Sequence, residues 1–215
     1  MKSPTLFAAA LALAGAAFLS GCATGNFGQP YHVTAYKPHN PNAVTVKVST
    51  STQHIYVMEG DRCLMAVQGC VGDHGTTPLG HHSIISKIKD KRSGSFGFTR
   101  SGDPADAHKG QSVDVGYPMA FWCEFAPAYG FHEGFVWSEP RTHGCIRLHK
   151  EAAARLFALV KIGTPVDIAT SQPEDATVGK TVQRLDQRND PDPPSSRLMS
   201  SSWFQDPPGP LLIEQ

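Results

Sequence analysis

The sequence predicts a mainly β fold with one short α-helix, followed by a disordered C-terminal tail. Valine alternates with polar residues between Val44 and Val48, and a period of two indicates a half-buried strand. Only residues 150–161 combine helical spacing of apolar side chains with good helix formers. From about Ser171 onward Pro, Ser, Asp and Gln dominate, and a segment of this composition buries too little apolar surface to fold alone.

Composition restricts the possible classes of protein. A chain of 215 residues suits one domain with appendages. Its 19 basic and 19 acidic side chains, without a run of Lys or Arg, exclude the electrostatic footprint of a nucleic-acid binder. Five cysteines are too few for a disulfide scaffold, so the fold must depend on a hydrophobic core.

Residues 1–21 have the pattern of a signal peptide. The apolar run from Leu6 to Leu19 is shorter than the roughly 20 residues that a membrane-spanning helix needs. Leu19-Ser20-Gly21-Cys22 resembles the lipobox of bacterial lipoproteins, which predicts cleavage before Cys22 and lipid on that residue. An ordinary secretory signal with an accidental cysteine is the alternative. Ala23, where Asp would retain a lipoprotein at the inner membrane, predicts an outer-membrane anchor on the periplasmic side of the envelope.

The remaining elements follow in order along the chain. Residues 22–42 form a polar linker after the lipidated cysteine, residues 43–170 the folded domain, and residues 171–215 the tail. A hairpin turn is predicted at Glu59-Gly60-Asp61. The predicted strands are Val44–Val48, Gln53–Met58, Arg62–Val71, His82–Ile88, Met119–Phe125 and Val166–Ile168.

The predicted helix runs from Lys150 to Lys161, with Gly163 as its C-terminal cap and Pro165 preventing continuation. In the tail, Trp203-Phe204 and Leu211-Leu212-Ile213 are apolar enough to dock on the domain, although the composition favours disorder.

The segment Thr142–Leu148, THGCIRL, is the most informative for chemistry. Cys145 is flanked by Gly and lies close to two His and one Arg in sequence. A free thiol titrates near 8.5, and a neighbouring imidazole or cation raises its thiolate fraction. Gly144 lets the backbone approach a substrate and turn its amides toward an oxyanion. A buried structural cysteine is the alternative interpretation.

This segment resembles the signature of the L,D-transpeptidase catalytic (YkuD) domain of bacterial cell-wall enzymes, together with the upstream His132. Three further motifs match in order, and the resemblance covers roughly Val44 to Ala169. The supporting motifs are Thr77-Pro78-Leu79-Gly80, Met119-Ala120-Phe121-Trp122 and Gly163-Thr164-Pro165-Val166.

The resemblance implies a mixed, β-sandwich-like catalytic fold and thiol acyl transfer on peptidoglycan stem peptides. Cys145 would attack the carbonyl of a diaminopimelate residue, expel a terminal D-amino acid and hold the acyl group as a thioester. An amine or water would then release it. His132 matches the general base, and the carbonyl of Glu133 would orient its ring.

The resemblance also assigns the rest of the site. Backbone amides around His143, Gly144 and Cys145 would stabilise the oxyanion, and Arg147 and Thr142 would contact the substrate. No cofactor and no metal is implied. The expected partners are the stem peptides and, through the lipid, a membrane.

Two features depart from the family pattern. Only nine residues separate His132 from Thr142, so the loop beside the site is short and the acceptor is uncertain. Glu133 stands where the family usually has a small residue, and its carboxylate would raise the basicity of His132.

Other interpretations of the same residues stay open. Ten histidines suggest a metal site, but adjacent His81 and His82 in a strand point to opposite faces, and paired metal-ligand motifs are missing from the sequence. Cys63 and Cys70 lie too far apart on one predicted strand to form a disulfide, whereas Cys123 could pair with either.

The function also has alternatives. One is a hydrolytic carboxypeptidase or amidase of the same fold, and another is a lipoprotein that binds peptidoglycan without turning it over. The aromatic side chains Trp122 and Phe125 are expected in the core and not on a sugar-binding surface.

Overall fold

A computed structural model describes residues 31–215. The predicted signal peptide, Cys22 and the first part of the linker lie outside the described residues. Within residues 31–215, no helix is long and apolar enough to cross a membrane.

The described chain forms twelve strands and two α-helices, numbered here in chain order. The strands and helices are β1 Val44–Ser49, β2 His54–Glu59, β3 Arg62–Cys70, β4 Gly80–Ser83, β5 Ser86–Ile88, β6 Arg92–Phe98, β7 Pro104–Asp106, β8 Val115–Pro118, β9 Trp122–Ala126, β10 Tyr129–Glu133, β11 Ile146–Leu148, α1 Lys150–Leu159, β12 Pro165–Ala169 and α2 Ser195–Met199. The predicted fold class, mainly β with one main helix, is confirmed.

Nine strands form one sheet in the order β4-β12-β1-β2-β3-β11-β10-β9-β5. Its two end strands, β4 and β5, are consecutive in the chain and are separated only by Ile84 and Ile85. The amide of Ile84 donates to Thr164 O beside β12, and that of Ile85 donates to Glu124 O in β9. The sheet therefore curls until its two ends meet at these residues. This closure is why the single strand predicted for His82–Ile88 is two strands in the structure.

The core lies inside the curled sheet and against α1. Val46, Ile55 and Phe131 are fully buried in it, as are Ala152 and Leu156 of the helix. Burying a side chain of this size contributes about 1.5–3 kcal/mol. The predicted helical face is confirmed.

The predicted end of α1 is wrong. The helix ends at Leu159, and Val160, in extended conformation, is its cap. Gly163, with φ of 87°, instead lies in the turn that leads to β12. There the amide of Thr164 donates to Lys161 O at 3.0 Å.

A second sheet, with the order β7-β6-β8, was not predicted from the sequence. Its strands are rich in Gly and Ser and lack a clear alternation of apolar residues. Gly97 and Gly116 let β6 and β8 approach closely, because a Cβ at Gly97 would lie 2.2 Å from Val115 O. Close backbone contact holds β6 and β8 together, and only a few apolar side chains of this sheet, such as Phe98 and Ala105, are buried.

Residues 171–215 pack against the domain, in contrast to the disordered tail predicted from composition. Gln187 accepts from and donates to the backbone of Val136, at 3.1 and 2.8 Å. The amide of Ile213 donates to Ala35 O at 2.9 Å. Its few apolar side chains anchor the segment on the core, namely Trp203, Phe204, Leu211 and Leu212. The average composition of the segment does not reveal these few apolar side chains, and it therefore predicted disorder.

Candidate active site

The site is built on two parallel strands, β10 and β11, which pair His132 with Arg147. Paired residues point to the same face of a sheet, so His132 and Arg147 share one face. Cys145 lies directly before β11 and two residues before Arg147, so strand alternation places its side chain on that face as well. Phe131 and Ile146 belong to the other face and are fully buried in the core. The register of these strands therefore brings together the three residues that the sequence singled out.

His132 is buried, with 8% of its surface exposed. Its Nδ1 lies 2.7 Å from the carbonyl oxygen of Glu133, and because a carbonyl only accepts, Nδ1 carries the proton. Nε2 is left with a lone pair. Burial lowers the pKa of His132 to about 4, the bond to Glu133 opposes this shift, and the charge of Arg147 adds to it. The ring is therefore neutral at pH 7.

Glu133 acts on His132 through its backbone and not through its carboxylate. Its side chain points to the opposite face of β10, is 7% exposed, and has a pKa raised to about 7 by burial. Among the described residues its Oε2 has no hydrogen-bond partner. The expected increase in the basicity of His132 is absent, because burial of the ring dominates.

The thiol of Cys145 is partly exposed, and its Sγ lies 3.8 Å from Ala128 O. Burial raises the pKa of Cys145, although the nearby charge of Arg147 opposes this shift. In the described chain no hydrogen bond joins Sγ to the His132 ring. The resting site thus holds a protonated thiol and a neutral imidazole on one face, and not an ion pair. Cys63, Cys70 and Cys123 are also free in the structure.

The loop before Cys145 is braced by Thr142. The Thr142 hydroxyl donates to Cys145 O at 2.5 Å and accepts from the Gly144 amide at 3.1 Å. Thr142 is only 3% exposed, so its hydroxyl shapes the loop and is not presented to a ligand. Its predicted substrate contact is thus replaced by a role within the loop.

Gly144 has to be glycine. Its φ is 124°, and a Cβ there would lie 2.4 Å from Tyr129 Cε1 and 2.7 Å from Thr76 O. Because the Gly144 amide already donates to Thr142, the amides of its neighbours His143 and Cys145 are the candidate oxyanion donors.

A second segment supports the loop, and sequence reasoning did not assign it a role. The Thr77 hydroxyl donates to Gly144 O at 3.0 Å and accepts from the Gly72 amide at 2.8 Å. The amide of Asp73 donates to Thr142 O at 2.8 Å. Thr77 belongs to the Thr-Pro-Leu-Gly motif, so the signal was present in the sequence although the contact was not predictable from it.

His143 and Arg147 point to different surroundings. The exposed His143 ring stacks on Phe96 of β6, with ring centroids 5.8 Å apart. Arg147 packs its alkyl chain close to Gly134, where a Cβ would lie 3.0 Å from Cδ. Within residues 31–215 the Arg147 guanidinium forms no salt bridge or hydrogen bond, so it can bind an anionic or carbonyl group.

No group of three or more His, Cys, Asp or Glu in this part of the chain is placed to hold a metal ion.

Comparison with known proteins gives one family. The model of the L,D-transpeptidase catalytic domain (YkuD) matches residues 43–168. No curated protein matches the chain.

Solved structures of L,D-transpeptidases are similar at low identity. That from Stackebrandtia nassauensis is 19% identical with a TM-score of 0.47, over 65% of this chain and 60% of that one. That from Mycobacterium smegmatis is 16% identical with a TM-score of 0.47, over 59% and 58% of the two chains. L,D-transpeptidase 1 of Mycobacterium tuberculosis is 20% identical with a TM-score of 0.43, over 59% and 61%. The chain thus spans about 60% of the length of these proteins.

The family model covers more than half of the chain and includes His132, Gly144, Cys145 and the strands that hold them. The chain therefore belongs to the L,D-transpeptidase catalytic domain family.

Proposed function

We propose that this protein is a cysteine-dependent acyltransferase of peptidoglycan. It forms a thioester between Cys145 and the diaminopimelate carbonyl of a stem peptide and passes the acyl group to an amine. One observation carries the proposal: a neutral His132, with its proton fixed on Nδ1 by Glu133 O, shares a sheet face with a free thiol. Membership of the family supports the choice of substrate.

Acylation starts from the protonated Cys145 thiol and the neutral His132 ring. His132 Nε2 takes the Sγ proton while sulfur forms a bond to the carbonyl carbon. The amides of His143 and Cys145 donate to the oxyanion. Collapse breaks the carbon–nitrogen bond, and the imidazolium returns its proton to the departing amine of the D-amino acid. The products are a thioester and a neutral His132.

Transfer reverses these roles. An acceptor amine attacks the thioester carbonyl and loses a proton to His132, and the carbon–sulfur bond breaks. The imidazolium then reprotonates the thiolate, which restores the starting state. Arg147 holds a substrate carboxylate by charge-assisted hydrogen bonds, since its guanidinium is unpaired among the described residues.

Two features of the short loop bear on the choice between amine and water. Phe131 lies in the core and does not shield the thioester, whereas Phe135 and Trp137 are partly exposed on the loop. Gln187 of the C-terminal segment forms two hydrogen bonds with the backbone of Val136 in this loop. The segment therefore restores some of the enclosure that a longer loop would provide, which favours exclusion of water.

Partition of the acyl-enzyme tests the proposal. Acyl-enzyme formed on a defined tetrapeptide is divided between buffer and a diaminopimelate-containing acceptor at millimolar concentration, and both products are counted by mass. We expect cross-linked product to increase with acceptor concentration. Trimmed tripeptide as the sole product at every acceptor concentration would replace this proposal with the hydrolytic alternative.

The location of the protein is also proposed. The lipobox at Leu19–Cys22 supports a lipid anchor at the periplasmic side of the outer membrane. A Cys22→Ser protein should then lose detergent partitioning. Native mature protein without added lipid mass would contradict the anchor.

A further inference from the structure

A groove of about 750 Å³ separates the three-stranded sheet from the C-terminal segment. Pockets of about 300–1,000 Å³ hold ligands of a few hundred daltons. One wall carries Phe96 and Tyr117, which are 39% and 36% exposed, and the other carries Pro193 and Leu198. The second wall comes from residues beyond the part of the chain that the family model matches.

The groove is continuous with the candidate active site at two points. Phe96 stacks on His143, two residues before Cys145. Tyr117 also lines a smaller pocket together with Gly134, against which the alkyl chain of Arg147 packs. A ligand bound through Cys145 and Arg147 can therefore extend into the groove without leaving the protein surface.

Arg92 fixes the two walls relative to each other. Its guanidinium donates to Gly116 O in the sheet at 2.8 Å and to Leu198 O in α2 at 3.0 Å. It also donates to Met199 O at 3.0 Å and Ser200 O at 3.1 Å. Such fork-shaped, charge-assisted contacts hold a fixed geometry. The groove is thus formed before any ligand binds, which lowers the entropic cost of binding.

The charges that line the groove argue against an anionic occupant. Lys109 is the one Lys or Arg among its described lining residues, and it lies 3.8 Å from Asp106. Asp192 adds a further negative charge. A peptide rich in carboxylates would be repelled. The amide of Gln111 and the hydroxyl of Ser195 instead suit a neutral ligand with many hydrogen-bonding groups.

The exposed parts of the aromatic walls narrow the ligand class further. Phe96 stacks on His143 and Tyr117 stacks on Phe98, and both rings still have more than a third of their surface exposed. An aromatic face carries partial negative charge and attracts the polarised C–H groups of a pyranose ring, while the ring edge stays free for polar contacts. A sugar is a neutral ligand with apolar faces and polar edges, so it fits walls of this kind. Three peptide residues span at most about 11 Å, so the sugar that carries a stem peptide stays near Cys145 when the third residue is bound there. Phe96 of the groove stacks on His143, two residues before Cys145.

We propose that the groove between the three-stranded sheet and the C-terminal segment binds an N-acetylated hexosamine of the glycan strand that bears the stem peptide. The identity of this ligand rests on the proposed function. The groove makes the protein prefer glycan-linked stem peptides over free ones.

Direct binding tests this inference without catalysis. The neutral disaccharide of N-acetylglucosamine, which lacks the free lactyl carboxylate of peptide-free N-acetylmuramic acid, is titrated into the protein while backbone amide resonances are recorded. Saturable shifts should concentrate at residues 96–117 and 192–198. Phe96→Leu keeps apolar bulk but removes the aromatic face, and it should weaken binding about tenfold. Lys109→Ala removes the one cationic side chain among the described lining residues, and binding of a neutral sugar should stay within about twofold of the native value.

Ile162→Ala is the matched control, because Ile162 is 67% exposed and lies outside the groove. It should bind the disaccharide as the native protein does. The preference for disaccharide-tetrapeptide over free tetrapeptide in kcat/KM should fall toward one in Phe96→Leu and stay unchanged in Ile162→Ala.

The outcomes separate this inference from the proposed function. If the disaccharide-tetrapeptide acylates Cys145 but the disaccharide causes no saturable shifts up to about 10 mM, the groove is not a sugar site. Shifts of the groove caused equally by the free stem tripeptide would also overturn the inference. Sugar binding in the groove without acylation of Cys145 would support the sugar site and contradict the acyltransferase.

Discussion

Gly144 shows how a single residue can shape the catalytic loop. With φ of 124° and Tyr129 Cε1 2.4 Å from any Cβ, an alanine here would push the loop away from Thr142. We predict that Gly144→Ala lowers the rate of acylation by about 10²-fold or more, because displaced oxyanion donors cost this much. Gly60→Ala is the control, since it also has positive φ but nothing within 4 Å. Equal losses in both variants would refute this role.

The pKa of His132 predicts a distinct pH dependence. Burial disfavours the imidazolium, so the neutral base persists down to pH about 4. The acylation rate should therefore rise with pH through a midpoint near 4. Rapid-quench acylation monitored by intact mass measures this limb. A midpoint near 6.5, the ordinary value for imidazole, would contradict the buried neutral base.

His132→Gln should slow acylation by about 10²–10⁴-fold if the ring transfers the proton. The exposed His39→Gln is its control and should retain the native rate and pH profile.

Glu133 predicts a pH dependence of stability. Its pKa rises from 4.5 to about 7 on folding, so the native protein binds more protons than the unfolded chain between these values. The stability that the protonated Glu133 side chain contributes is fully present below pH 4.5, and it is lost as the pH rises through 7. Glu133→Gln should thus raise the free energy of unfolding at pH 8 by about 1–3 kcal/mol and have little effect at pH 4.5.

Urea denaturation at the two pH values measures the effect of Glu133→Gln. The exposed Glu139→Gln should change stability equally at both. A Glu133→Gln gain that does not depend on pH would mean that the carboxyl does not titrate in this range.

At the scale of elements, Arg92 joins β6 to α2 through the carbonyls of residues 198–200. Arg92→Ala leaves these carbonyls without their charged donor and should destabilise the protein by about 3 kcal/mol. Cleavage by a protease within residues 185–200 should accelerate. Arg100→Ala, in the exposed turn between β6 and β7, should leave the cleavage pattern unchanged. An unchanged pattern in Arg92→Ala would show that α2 is held by other contacts.

The sequence predicted those elements whose apolar pattern matches their burial. β1 to β3 and α1 lie close to their predicted bounds, because each carries a regular set of apolar side chains that are buried in the core. The split at Ile84 was not predictable, since it depends on where the curled sheet closes. The strand predicted from Met119 begins at Trp122, because Phe121 has φ of 59°.

The site shows the same division between local pattern and long-range contact. The motif around Cys145 and the upstream His132 predicted that these two residues share a site, but β10 and β11, which hold them, were not among the predicted strands. The hydroxyl contacts of Thr142 and Thr77 depend on segments that are distant in sequence. The side-chain direction of Glu133 follows from alternation along β10, a strand that was not predicted from the sequence.

At the scale of the whole molecule, the C-terminal segment is part of the folded unit. It contacts the short loop at Val136, β3 through Gln68, and residues 35–37 through Ile213. It also supplies one wall of the groove beside the candidate active site. Residues that follow the part of the chain matched by the family model thus support the loop between His132 and Thr142 and line the groove.

The central claim is that Cys145 forms a thioester with a stem peptide, and intact-protein mass tests it most directly. After incubation with a disaccharide-tetrapeptide, the protein should gain the mass of the substrate less its terminal D-amino acid, and hydroxylamine should remove the adduct. Cys145→Ala should show no gain, whereas separate alanine variants of Cys63, Cys70 and Cys123 should gain the full mass. Folded native protein without an adduct, or an adduct on one of those three cysteines, would contradict the account.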